Sequence, residues 1–215
     1  MKLSIMLTQL AQGMITSVEI FLLTLLFSLP LGLLVAFGRM SKNKVLSTIV
    51  KVYIAIMRGT PLMLQLIVVY FAPFYIFGMN LSGFRFPAII IAFSVNYAAY
   101  FAEIYRGGIE AIDKGQYEAA KVLGYSRAGT FFRIILPQVL KIITPSVTNE
   151  TITLVKDTSL AFVLAQAEMF TIAKQIAAKE ASVGPLMVAG AFYFVFNFVV
   201  AFVMDRIEKR LDYWS

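Results

Sequence analysis

The sequence predicts an all-α membrane protein with about five transmembrane helices. Three observations lead there. The 215 residues are 60% hydrophobic and only 14% charged, with a mean hydropathy of +0.80, whereas soluble domains lie closer to half apolar and a quarter charged. The apolar residues are gathered in long runs, not spread at amphipathic spacing. The basic residues gather at the ends of those runs, where Lys and Arg stay on the cytoplasmic side of a bilayer.

The runs cover residues 14–37, 46–77, 86–104, 131–164 and 186–204. A helix needs about 20 apolar residues to cross, at 1.5 Å per residue, so the first, third and fifth runs each fit one crossing. The second and fourth are longer and carry helix breakers, among them Pro61 and Pro145. Each is expected to be one long, kinked or partly unwound crossing with a flanking helix; for the fourth, a crossing followed by a short re-entrant element fits as well. The first residues lack a basic start followed by a small-residue cleavage site, so no removable signal peptide is expected. Tyr213 and Trp214 lie beside a basic tail, as interfacial anchors do.

Charge then sets the orientation. The connection after the first run carries Arg39, Lys42, Lys44 and Lys51. The one after the third carries Arg106, Lys114, Lys121, Arg127 and Arg133, and the tail carries Arg206, Lys209 and Arg210. Five crossings put these on one side, against Lys2, Arg85, Lys174 and Lys179 on the other. The amino terminus is therefore expected outside and the carboxyl terminus in the cytoplasm. The net charge of +7 does not indicate nucleic acid, because these residues form no single exposed stripe. With no Cys and no His, thiol chemistry, disulfides, most zinc sites and imidazole catalysis are excluded. No G-x-x-x-x-G-K-[ST] occurs, so nucleotide hydrolysis is not expected on this chain. No internal repeat is visible, and two related halves are the usual mark of a secondary transporter.

The polar segment between the third and fourth runs, about residues 107–127, is punctuated by Gly107, Gly108, Gly115 and Gly124. Glycine suits the position just past a helix end, so two short helices at an angle are expected, near 109–113 and 116–123. Ser126 is placed to cap the next helix near Arg127. In the second short helix Ala119, Val122 and Leu123 share a face with Ala120 beside them. Glu118 and Lys121 can pair at i,i+3 or meet a partner's charges.

Glu118-Ala119-Ala120, Gly124, Ile134, Leu136 and Pro137 match the spacing E-A-A-x3-G-x9-I-x-L-P. This resembles the signature of ABC importer permeases. Three further stretches resemble the polar amino-acid uptake branch of that family, the histidine, arginine and glutamine permease type. They are Arg58-Gly59-Thr60-Pro61-Leu62 with Gln65, the run from Asn96 to Gly107, and Asn149-Glu150 followed by the run from Leu154 to Leu160. The resemblance implies a type I ABC importer permease fold: one transmembrane permease domain over residues 1–215, with cytoplasmic coupling helices. It implies an ATP-driven importer of polar amino acids working by alternating access. The expected partners are ABC ATPase subunits, a second permease subunit (the same chain or a related one) and an extracytoplasmic amino-acid-binding protein. ATP and magnesium belong to the ATPase, and no cofactor is expected here. Glu118, Ala119, Ala120, Lys121, Leu123 and Gly124 would receive the ATPase.

Charges deep in a membrane segment cost about 2.5–3.5 kcal/mol each, so they usually face water or a partner. The candidate substrate-binding residues are Arg58, Asn96, Glu150, Lys156, Asp157, Thr158 and Ser159. Arg58 or Lys156 suits a carboxylate, and Glu150 or Asp157 an ammonium. Two acids also suit a cationic side chain. The bland alternative is that Arg58 pairs with an acid to hold helices together and that Lys156 and Asp157 mark a helix end.

Overall fold

A computed structural model describes residues 3–211, so Tyr213 and Trp214 lie outside the described residues. The described residues form helices and turns, with no strand. The order is α1 (Leu3–Arg39), α2 (Lys44–Gly59), α3 (Leu62–Phe77), α4 (Arg85–Glu110), α5 (Lys114–Val122), α6 (Arg127–Thr130), a π-helical turn (Phe131–Ile135), α7 (Leu136–Asp157), a 3-10 turn (Thr158–Leu164), α8 (Met169–Glu180) and α9 (Gly184–Leu211).

Four helical stretches are long and apolar enough to cross a membrane: α1, α4, the run from α6 through the 3-10 turn, and α9. The α2–α3 pair is the fifth if its two arms count as one crossing. Each arm has 16 residues, or roughly 24 Å, short of the ~30 Å hydrocarbon core. The expected kink is a bend of 112° at Thr60–Pro61. Proline removes a backbone donor and disfavours helix for the residue before it.

Helix α4 is the most enclosed element. Ile89, Phe93, Tyr97 and Phe101 join Ile20 and Phe21 of α1, Leu66 of α3 and Leu154 and Val155 of α7 in the main core. Small residues allow α1 close to it: Ser28, Gly32 and Ala36 are buried at one-turn spacing, facing an α4 that carries Ala98, Ala99 and Ala102. A Cβ on Gly32 would lie 2.8 Å from that of Phe101. Lipid supplies no hydrophobic drive between helices, so close backbone packing has to supply the attraction. Gly32→Leu is therefore expected to cost about 1–3 kcal/mol by overpacking, read as a lower unfolding temperature in detergent. An unchanged melting curve would show that α1 has room to shift.

The ends of the bundle differ. Arg85 at the start of α4 donates to the Ala165 carbonyl (3.2 Å), and Ser17 of α1 meets Glu168 just before α8 (3.4 Å). The starts of α4 and α8 and the first part of α1 therefore gather at one end. The opposite end holds the α1–α2 junction, where Arg39 and Ser47 bond each other, and the α5–α6 elbow. Outward faces of α9 remain apolar and exposed, with Phe194, Val195, Phe198 and Phe202.

Candidate functional site

Two regions carry polar chemistry. The first surrounds the α2–α3 vertex. The bend leaves the carbonyls of Met57 and Thr60 without helical partners, and side chains take them over. The Gln65 amide donates to Met57 O (3.0 Å), Thr60 O (3.2 Å) and Thr60 Oγ1 (2.8 Å). The Asn96 amide donates to Met57 O and to Gln65 Oε1, both at 2.9 Å. Buried backbone acceptors need such partners, so α4 holds the vertex shut through Asn96.

Below the vertex lies a pocket of roughly 380 Å³. Thr60 and Pro61 form its rim, α4 gives Asn96, Tyr97 and Tyr100, and α7 gives Glu150, Thr153 and Asp157. The α7 residues recur at three- and four-residue steps, one face of a helix. The Tyr97 hydroxyl donates to Asp157 Oδ2 (2.7 Å). Arg58 ends α2 beside this pocket, its guanidinium 5.3 Å from the centre of the Tyr100 ring and 4.0 Å from Glu103 Oε2. Arg106 holds Glu103 (2.7 Å) and also pairs with Glu110.

Of the residues proposed from sequence, Asn96, Glu150 and Asp157 thus meet in one pocket, with Arg58 at its side. Lys156, Thr158 and Ser159 are not among its lining residues. Lys156 is exposed on a neighbouring face of α7. Thr158 is fully buried and bonds Val155 O (2.8 Å), and Ser159 bonds Lys156 O (2.8 Å). Sequence reasoning named no role for Tyr97, Tyr100 and Glu103, although all three stand in the run from Asn96 to Gly107.

The second region is the elbow after α4. The expected pair of short helices resolves into one. Residues 109 and 110 remain in α4, and only α5 stands apart. Gly107 and Gly108 do not end α4, because Gly108 serves packing: a side chain there would run into Ile143 of α7. The Arg106 pairs with Glu103 and Glu110 reinforce the same last turns. Asp113 caps α5 through Gly115 N (2.6 Å), Gly124 turns the chain with φ +77°, and Ser126 caps α6 through Gly129 N (3.1 Å), as its sequence position suggests. Ala120 is buried against its own chain. Glu118, Ala119, Lys121, Leu123 and Gly124 are exposed. Val122 and Leu123 present apolar side chains 88% and 73% exposed. Ile112, Ile135, Val139 and Ile143 join the elbow's base to α7 in one apolar cluster.

Residues 28–213 match the family model for the binding-protein-dependent transport system inner membrane component. The chain belongs to that family. Relatives of this permease include the L-cystine transport system permease protein TcyB of Bacillus subtilis, 37% identical over 94% of this chain and 86% of that one. The arginine transport system permease protein ArtQ of Bacillus subtilis is 34% identical over 93% and 91%. The permease fold superposes on a chain from the crystal structure of an amino acid ABC transporter with histidines, with a TM-score of 0.85, 32% identity and 94% of each chain covered. It also shares its fold with a chain of the inward-facing MetNI methionine ABC transporter, at a TM-score of 0.76 and 19% identity over 98% and 99%. This is the type I importer permease fold, and the chain is a multi-pass membrane protein.

Proposed function

We propose that this permease is the transmembrane subunit of an ATP-driven importer of polar amino acids and that its pocket favours cationic ones. The observation that carries the reading is the juxtaposition of Glu150, Asp157 and Arg58 around one cavity at the α2–α3 vertex. Arg58 suits a substrate carboxylate. One acid suits the α-ammonium, leaving the second for a cationic side chain. The named relatives transport L-cystine and arginine, so an amino-acid cargo agrees with them. A larger cleft of about 980 Å³ near the end of α3 is lined mainly by aromatic and small residues, with Arg85 as its charged residue and no carboxylate.

The α5–α6 elbow is the ATPase-receiving surface. Glu118, Ala119, Lys121, Leu123 and Gly124 lie on its outside, with Ala120 setting the helix against its own chain. The basic residues at that end support a cytoplasmic position for it, with the amino terminus outside. ATP and magnesium are held by the ATPase. The exposed apolar faces leave room for a second permease subunit, and an extracytoplasmic binding protein delivers the amino acid at the opposite end. Motion of the ATPases passes through the elbow into α4 and α7 and opens the pocket to alternate sides.

Reconstitution tests this reading. In proteoliposomes the permease with its ATPase and binding protein should accumulate amino acids only with ATP, and the chain alone should accumulate none. Uptake by the chain alone under an ion gradient would overturn it.

A further inference from the structure

Among the described residues Glu168 is the one fully buried acid, and it is not part of the pocket lining. Its Oε1 accepts from Thr171 N (2.6 Å) and Thr171 Oγ1 (2.8 Å). Its Oε2 accepts from Phe170 N (2.7 Å), Tyr193 OH (3.1 Å) and Ser17 Oγ (3.4 Å). Two of these donors are the first free amides of α8, which any exposed capping side chain would satisfy. Of the three hydroxyls, that of Thr171 belongs to α8 itself, and those of Tyr193 and Ser17 come from α9 and α1. Burying a carboxylate among donors from three helices is far more than a cap requires, since an ion taken out of water must have its lone pairs filled.

The helix that Glu168 begins is unusually attached. Ala165 before it and Ala181 at its end both adopt left-handed backbone, with φ of 51° and 47°. Non-glycine residues rarely sit there, and such strain persists only where surrounding contacts enforce it. At Gly13 the backbones of α1 and α8 nearly touch: a Cβ would lie 2.8 Å from Met169 Cα. Beyond that point a cleft of roughly 380 Å³ opens, lined by Gln9 and Gln12 of α1 and Gln175 and Lys179 of α8. Thus α8 is a short bar turned at both ends and pinned at one.

The pin also connects to the pocket. Tyr97 bonds Asp157, which is followed by the 3-10 turn leading to Ala165. Thr158, the first residue of that turn, lies with Ser17 against the Tyr193 hydroxyl that reaches Glu168. Two polar clusters, one at the pocket wall and one at the clasp, are therefore joined by the backbone step from Asp157 to Thr158.

We propose that α8 is a gate bar at the end of the bundle away from the elbow, clasped to α1 and α9 by Glu168, swung on Ala165 and Ala181, and governed by occupancy of the pocket at Asp157. This rests on the reading of the pocket as the substrate site. An ammonium drawn to Asp157 competes with the Tyr97 hydroxyl for that carboxylate. The resulting shift of the 3-10 turn reaches the clasp through Thr158 and Tyr193.

The chain has no cysteine, which allows a clean test in the complete transporter in proteoliposomes. Gln12→Cys and Gln175→Cys together place one thiol on each wall of the α1–α8 cleft, to be joined by a cleavable bis-maleimide. Uptake by the unjoined double variant checks the transport reading by itself. Joining the thiols should lower uptake roughly fivefold or more, and cleaving the linker should restore it. Full uptake in the joined protein would overturn the gate. Tyr193→Phe keeps the ring and the α8 cap but loses the bond across to α9. It should raise ATP hydrolysis without substrate roughly fivefold or more, at an unchanged yield of assembled complex. A Tyr193→Phe protein that merely assembles less well, with ordinary hydrolysis per complex, would make the clasp structural only and refute the proposal.

Discussion

Replacing Val122 and Leu123 together with aspartate is expected to abolish uptake while the permease still folds and inserts. Both side chains protrude from the α5 end and are mostly exposed, so the folded chain loses little when they change. Surface substitutions away from packing features usually alter stability by only about 0.5 kcal/mol. At a docked surface the effect is different. Buried apolar anchors are commonly worth about 2 kcal/mol or more each, and two introduced charges would have to be desolvated as well. The expected loss is roughly hundredfold or more in association with the ATPase, read by co-purification and by ATP-dependent uptake. The elbow's base should hold, because Ala120, Ile112 and Ile135 are untouched. Normal retention of the ATPase by the double variant would remove this surface from the coupling path.

Asp157→Asn should give the second largest effect, and a selective one. The substitution preserves side-chain size and leaves Tyr97 a hydrogen-bond acceptor, so the α4–α7 contact survives. What disappears is the negative charge beside the pocket. Truncating one partner of a desolvated charged pair costs about 2–5 kcal/mol, at least roughly thirtyfold in affinity. Uptake of arginine or lysine should therefore fall by about that factor, and uptake of a neutral polar amino acid such as glutamine much less. Glu150→Gln should act in the same direction, more weakly, because no tyrosine hydroxyl positions its carboxylate as Tyr97 positions that of Asp157. The measurement is competitive uptake of a cationic against a neutral amino acid. An unchanged ratio in both variants would sink the cationic preference and leave general amino-acid import standing.

Much of this was legible because its causes are local. The long apolar runs at α1, α4 and α9 and the caps at Gly124 and Ser126 depend on residues within a turn or two of each other. Glu150 and Asp157 stood out as acids inside a long apolar run. The stripe facing the pocket steps through 150, 153, 157 and 160, with Lys156 on the exposed side. Where α7 tightens into the 3-10 turn, the rotation per residue changes. That places Thr158 in the core and Ser159 outside the pocket. Gly107 and Gly108 looked like punctuation, but Gly108 answers to Ile143, 35 positions on. Glu168 lay outside every long apolar run, and its distant partners Ser17 and Tyr193 are 151 and 25 residues away along the chain. Periodicity cannot see such pairs; only tertiary packing creates them.

The fastening of the α2–α3 vertex has a consequence for how the protein is made. Met57 and Thr60 leave the ribosome well before Asn96, which supplies one of the donors that satisfy the opened backbone. Until then Gln65 of α3 alone serves both carbonyls, which would otherwise be costly to leave unmet in hydrocarbon. The vertex is therefore expected to gain its cross-helix fastening only once α4 has been synthesised and has packed beside it.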